Sequence, residues 1–494
     1  MRTYVFRPQE EKPLYEQLYS FLRKDIESGQ MESGSRLPSK RKLAAHLKVS
    51  VITVEGAYGQ LLAEGYIRSE PRRGFFVQPV LSGGGKRRIG DINEKPLSSR
   101  GQETGSGAPE GKTPPDAIMG KREIIPREMH EYDFSTNAVD TNRFPFSTWA
   151  KLMRQVLSEG NSKLLESPEP QGELRLREAI VRHLYEFRGI EARPEQVVVG
   201  AGSEYLTGLL IQLLGREGGY AVENPGYHKI HKIFEKNGAK VKPVPLDEEG
   251  LQVERLRDME VRVVHVTPSH HFPMGIIMPA ARRMALLHWA QEREGRYIIE
   301  DDYDSEFRFA GRPIPALKRL DQAQKVIYMN TFAKSLAPSL RIGYVVLPPH
   351  LMRRYQAEFL FYASTVPVFE QVTLARFMEY GHFERHINRM RSLYKARRDA
   401  LTAAASNCGI SAQLKIFGEE AGLHLLMQVS NGMSEQKLVE RAKAEGVGVY
   451  GLSSYYAFDR EKAPDSTLVM GYAKLREEDM APAFTRLERA WRQS

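Results

Sequence analysis

Lys334 carries a primary amine, the kind of side chain that condenses with an aldehyde to form an imine. Upstream of it stand a ring at Tyr227, a carboxylate at Asp301 and a phenol at Tyr303. The Thr331 hydroxyl precedes it and the Arg341 guanidinium follows it. Ser203 and Glu204 come directly after a glycine-rich turn, Gly200-Ala201-Gly202. Pyridoxal phosphate needs such a set. Its aldehyde needs the amine, and its pyridine nitrogen needs a carboxylate that keeps the ring protonated and electron-withdrawing. Its phosphate needs a cation, hydroxyls and a helix N-terminus. Its ring needs a flat side chain on one face, and Tyr303 would donate to its phenolic oxygen. Each residue also has a plainer reading. A lone lysine is usually a solvated charge, Asp301, Asp302 and Asp304 also suit a metal cluster or a polar loop, and Tyr227 also suits simple packing.

Order and placement add weight to the set. Apolar, strand-like runs cover residues 196–199, 261–266, 297–300 and 326–329, and helical segments alternate with them. That alternation predicts a mainly parallel sheet with helices on both faces. In such sheets ligands sit at the carboxyl ends of the strands. The first run leads into Gly200 to Glu204, a glycine turn opening a helix and hence a phosphate cradle. The third ends at Asp301-Asp302-Tyr303-Asp304, and the fourth leads through Thr331 to Lys334.

The start of the chain has a different pattern. Leu14, Leu18, Phe21, Leu22 and Ile26 recur at helical spacing over 13–28. Ser39 is placed to cap a helix over 40–47, and Ser50 a second over 51–64 that stops at Gly65. Two short strands, 66–68 and 75–77, flank a basic turn, Pro71-Arg72-Arg73-Gly74. Three helices and a basic hairpin describe a winged helix-turn-helix. Over residues 1–80, 13 Lys and Arg against 9 Asp and Glu leave +4. Lys40 and Arg41 stand at a helix start and Arg72 and Arg73 at the wing tip, where phosphates are met. Ser50 and Thr53 lead the third helix, which would lie in a major groove. Gly74 would let the wing approach a minor groove. A winged helix used only for protein contact is the alternative.

Residues 81–124 separate the two patterns. They include Gly83-Gly84-Gly85 and Pro114-Pro115 and few large apolar side chains, so they are expected to form a flexible linker between a domain over 1–80 and one over 125–494. The whole chain has 494 residues, 41% hydrophobic and 27% charged, an ordinary globular composition. The net charge of +9 suits a polyanion partner or merely a solvated basic surface. A single cysteine, Cys408, excludes an internal disulfide and a cysteine zinc cluster, and no metal is expected. No stretch approaches the roughly 20 apolar residues of a membrane span. The first residues lack an apolar signal segment, which leaves the cytoplasm as the expected compartment.

The N-terminal region resembles the GntR family through Leu37-Pro38-Ser39-Lys40-Arg41-Lys42-Leu43-Ala44, Thr53-Val54, Ala57-Tyr58 and Glu64-Gly65-Tyr66. The resemblance implies a DNA interface drawn from Lys40, Arg41, Ser50, Thr53, Tyr58, Arg72, Arg73 and Gly74. Where the family has arginine after the serine that opens the recognition helix, this chain has Val51. From about residue 130 the chain is similar to fold-type I, class-I aminotransferases. As a whole it resembles the MocR group of GntR regulators, which fuse these two modules. The carrying motifs are Pro170-Gln171-Gly172, Glu223-Asn224-Pro225-Gly226-Tyr227, Thr267-Pro268-Ser269-His270, Glu300-Asp301-Asp302-Tyr303-Asp304, and Thr331-Phe332-Ala333-Lys334 with Pro338-Ser339-Leu340-Arg341.

That resemblance implies a smaller C-terminal subdomain and an internal aldimine on Lys334. It gathers Ser203, Glu204, Tyr227, His270, Asp301, Tyr303, Thr331 and Arg341 around the cofactor. It also implies a homodimer on double-stranded operator DNA, and a small amino compound that forms an external aldimine and alters operator binding or transcription. Several positions depart from the pattern. Ala333 replaces a serine, Ser167 stands where a tyrosine often reaches the partner subunit, and Phe272 replaces an asparagine, which leaves its role to His270 or His271. The segment Leu468-Val469-Met470-Gly471-Tyr472 lacks the arginine that clamps a substrate carboxylate. Lys229 is the candidate to replace it at the effector. The missing clamp counts against ordinary transamination, although a residual or half reaction stays open. Two other readings also remain: a working aminotransferase carrying a DNA module, and a DNA-binding protein whose large domain only dimerises.

Overall fold

A computed structural model describes residues 4, 6, 13–70, 73–78, 130–136, 138–309 and 315–492. The expected linker over 81–124 and the wing residue Arg72 lie outside the described residues.

Helices α1 (Leu14–Glu27), α2 (Lys40–Leu47) and α3 (Val51–Ala63) precede an antiparallel hairpin of β1 (Ile67–Glu70) and β2 (Gly74–Val77). Ser39 Oγ accepts the Lys42 N–H at the start of α2, and Ser50 Oγ accepts the Thr53 N–H at the start of α3. Each bond satisfies a donor that the first helical turn leaves unpaired. Leu18, Leu22, Ile26, Leu43, Val54, Ala57 and Leu61 bury one face of each helix in a common core. Tyr58 belongs to that core, which corrects its expected place on DNA. Its side chain is fully buried, its hydroxyl donates to the Pro38 carbonyl at 2.9 Å, and its ring meets Phe75 edge-on. The helical period that turns Val54, Ala57 and Leu61 inward turns Tyr58 inward with them.

After β3 (Tyr132–Asp133) come β4 (Val197–Gly200), β5 (Tyr220–Asn224), β6 (Val241–Asp247), β7 (Gly250–Leu251), β8 (Val263–Val266), β9 (Tyr297–Asp301), β10 (Val326–Thr331) and β11 (Gly343–Val346). They form one eight-stranded sheet in the order β4-β11-β10-β9-β8-β5-β6-β7. The run from β10 to β6 is parallel, β11 opposes both its neighbours, and β7 opposes β6. This is the expected mainly parallel sheet. β4, β5, β8 and β9 bury nearly every residue, including the polar ones at the ends of β5 and β9, as expected of strands covered on both faces.

The smaller C-terminal subdomain has β12 (Leu414–Phe417), β13 (His424–Val429), β14 (Val447–Gly448), β15 (Tyr450–Gly451) and β16 (Thr467–Gly471). Its sheet runs β12-β13-β16-β15, while β14 pairs with β3 and so ties residues 130–136 to this subdomain. The winged helix touches the large domain at the end of α3. The Ala280 N–H donates to the Glu64 carbonyl at 2.9 Å, and Gly65 lies so near Pro279 that an added Cβ would sit 2.6 Å from its ring. No helix among the described residues is long and apolar enough to cross a membrane.

Candidate cofactor site and DNA-binding face

A cavity opens at the carboxyl ends of β5, β8, β9 and β10, where a parallel sheet offers its ligand site. Asp301 at the end of β9, Thr331 at the end of β10, Tyr227 after β5, and Ser203, Tyr303 and Lys334 all line it. Residues scattered over more than a hundred positions thus meet around one amine. Lys334 Nζ donates to the Thr136 carbonyl at 2.8 Å. Burial disfavours its charged form and lowers it to about 8. The buried Asp301 carboxylate lies 3.4 Å from His265 Nε2. Burial raises the Tyr303 phenol well above its ordinary range, so it remains a proton donor.

The expected phosphate end has a missing side chain at Gly202. Gly202 opens the helix Gly202–Leu214 at φ +84°, and a Cβ there would lie 2.7 Å from the Arg341 guanidinium. Arg341 itself has φ +52°, uncommon for a side-chain-bearing residue and suited to a position where geometry is imposed by function. A helix N-terminus, an uncovered backbone and a guanidinium together fit a phosphate. Glu204 is hydrogen-bonded to that guanidinium, and both side chains lie outside the cavity lining.

His270 stands behind Tyr303 and not in the cavity lining. Its Nδ1 is 2.9 Å from Asp304 Oδ2 and 3.1 Å from the Tyr303 hydroxyl, so it positions the phenol. Phe272 lines the cavity where the resemblance places an asparagine. His271 is buried and is pushed down to about 3 by desolvation. Asp302 turns away to the other side. Arg188 grips both its oxygens, at 2.8 and 3.1 Å, and the Tyr328 hydroxyl donates to it at 2.6 Å. The acidic run is therefore divided among separate partners. Lys229 lies exposed on the helix His228–Lys236 and outside the cavity lining, so the structure does not bring it to the others.

Sequence reasoning missed Thr136, Glu223, His424 and Tyr455, which also line the cavity. Glu223 accepts from the Thr267 N–H and hydroxyl, and burial raises it to about 7. Thr136 and Tyr455 arrive from the C-terminal subdomain and the segment tied to it, with no local motif to announce them.

On the winged helix, Arg41 and Ser50 are exposed at the starts of α2 and α3. The Ser50 and Thr53 hydroxyl oxygens are 2.8 Å apart. Lys40 Nζ pairs with Glu55 at 2.6 Å, and Arg73 pairs with Glu70 at 2.6 Å while packing over Phe76. Gly74 takes φ +105° at the wing, beside Arg36. Ile52, unmarked by any motif, is 79% exposed at the leading end of α3. An apolar side chain at such a place suits the thymine methyl group. The helical period was the available signal, because it leaves position 52 opposite the buried face.

Fold and cavity together define a pyridoxal phosphate domain joined to a winged-helix DNA-binding module. Residues 130–487 match the aminotransferase class I and II family, and residues 14–77 match the gntR family of bacterial regulatory proteins. The HTH-type transcriptional regulator YdeL of Bacillus subtilis is 38% identical over 480 residues, 97% of each chain. The probable rhizopine catabolism regulatory protein MocR of Rhizobium meliloti is 34% identical over 97% of this chain and 94% of its own. Among solved structures, the kynurenine aminotransferase of Pyrococcus horikoshii, crystallised with PMP, has a TM-score of 0.64 at 26% identity, covering 74% of this chain and 91% of that one. The chain belongs to the MocR group of GntR-type transcriptional regulators.

Proposed function

We propose that this protein is a DNA-binding transcription regulator that senses an amino compound by its exchange with Lys334 on pyridoxal phosphate. The observation that carries the reading is the Lys334 amine, lowered to about 8 by burial inside the cavity that Asp301 and Tyr303 also line. When bound, the cofactor supplies an aldehyde that condenses reversibly with primary amines. Asp301 would hold the proton of the ring nitrogen, Tyr303 would donate to the phenolic oxygen with His270 behind it, and Tyr227 would offer its ring to the cofactor. Ser203, Thr331, Arg341 and the helix N-terminus at Gly202 would hold the phosphate.

Attachment of the cofactor at Lys334 would take its Nζ from the Thr136 carbonyl, and exchange with an effector amine would return a free lysine amine able to donate there again, which changes the tie between the two subdomains. A route to the DNA module runs through Arg283. Its guanidinium donates to the Pro268 carbonyl at 2.6 Å and to the Met278 carbonyl at 2.8 Å. Pro268 adjoins the cavity, and Pro279-Ala280 carries the contact with Glu64 and Gly65. An effector that binds two arrangements of this path unequally shifts their populations. The working unit is a cytoplasmic homodimer with DNA-binding domains over 1–80 and effector domains over 125–494, presenting two winged helices to paired half-sites.

The test is borohydride reduction of cofactor-loaded protein, followed by peptide mass mapping. The adduct is expected on the peptide containing Lys334. Lys334→Ala should lose the adduct and the effector response while retaining operator binding. A fully responsive Lys334→Ala protein would overturn the proposal.

A further inference from the structure

We infer that the effector is a primary amine with an apolar or aromatic body and no carboxylate on the amine-bearing carbon. This rests on the exchange at Lys334 proposed above, in which one amine takes the place of another and no oxidant or reductant is consumed.

An amine that takes the place of Nζ brings its own substituents into the same cavity. Among the described residues that line it, Lys334 is the sole lysine or arginine. Three carboxyl groups, Glu223, Asp301 and Asp304, line it as well. Arg341 lies at the phosphate end, bonded to Glu204. Four histidines line the cavity too: burial holds His424 and His228 below the usual imidazole range, with His424 Nε2 facing the Pro273 carbonyl at 3.0 Å, while His231 Nε2 lies 3.3 Å from Glu235 and His265 Nε2 3.4 Å from Asp301, each already beside a carboxylate. A carboxylate entering here would lose its water and meet no lysine or arginine of the lining other than the displaced Lys334, with Glu223 and Asp304 in the same wall.

One side of the cavity is apolar. Phe272 and Tyr455 meet edge-on with ring centroids 5.1 Å apart, backed by Leu426, Leu452 and Val469. Val469, in the segment where an arginine is expected by resemblance, is fully buried in this cluster. A hydrocarbon body gains burial there, and an aromatic one also gains edge-to-face contacts.

Matched pairs test the inference on the full-length, cofactor-loaded protein. 2-Phenylethylamine is compared with L-phenylalanine, and 3-methylbutylamine with L-leucine. Each pair shares its apolar body and differs by the carboxylate. The readouts are the cofactor absorbance and the thermal midpoint, so neither depends on turnover. In each pair the amine is expected to half-saturate at a concentration at least about tenfold lower than the acid. An amino acid that equals or surpasses its amine in either pair overturns the inference, as does an amine that registers in neither readout. Borohydride mapping on the same sample separates the two levels of failure. An adduct on Lys334 with the wrong preference sinks only the effector class, whereas no adduct on Lys334 sinks the exchange reading and this inference together.

Discussion

The two domains hold their cations in opposite ways. In the winged helix the Arg73 side chain is 72% exposed and Arg41 is exposed at a helix start. In the large domain Arg188 and Arg397 are 2% exposed and locked to Asp302 and Asp140, and the buried Arg283 spends its donors on backbone carbonyls. An exposed guanidinium costs little to keep and stays available to a polyanion, whose bound counterions it releases. A buried one has to be matched by a carboxylate or by carbonyls, and then serves to hold loops in place. Net charge alone cannot separate these uses. The +9 of the chain includes arginines that meet no partner outside it.

The contrast can be broken most severely at Arg188. Arg188→Ala leaves the Asp302 carboxylate buried without its cation, and the expected loss is about 3–5 kcal/mol of stability by denaturant titration. A change within the range of exposed ion pairs, below about 1 kcal/mol, would erase the distinction.

Lys334 gives the next largest effect, in its pH dependence. The unprotonated amine attacks the aldehyde, and burial favours that form, so attachment of pyridoxal phosphate to cofactor-free protein should accelerate with pH and level off above about 8. A rate still climbing towards 10.5, the value of an ordinary lysine, would place this amine in solvent with the cations of the other domain.

Arg41→Ala sharpens the comparison from the exposed side. Stability should be unchanged, while the slope of log affinity against log salt falls in magnitude by about one for the lost phosphate contact. An unchanged slope would remove Arg41 from the interface. The smallest effect is expected at Tyr58. Tyr58→Phe removes one hydrogen bond to Pro38 and should cost about 1 kcal/mol of stability without altering operator affinity. A drop in affinity at constant stability would return this residue to the DNA-facing side.

What could be read from the residues alone was local. Serines that cap helices at 39 and 50, Gly65 closing α3, apolar strand runs and the motifs at their ends depend on a few neighbours each. They located Asp301, Thr331 and Lys334 and predicted both domain types. The antiparallel β11 escaped notice because a short buried strand has the same composition in either direction. Which way a side chain faces was decided by packing. Tyr58 is turned into the core, and Lys229, two residues past Tyr227, is turned to solvent. Asp301 and Asp302 serve different partners because consecutive residues leaving a strand point to opposite faces. Thr136 and Tyr455 join the cavity only because two subdomains close around it. Periodicity and capping act within a few residues of chain, whereas a cavity wall is assembled from segments hundreds of positions apart, and only their packing against one another sets what the wall presents.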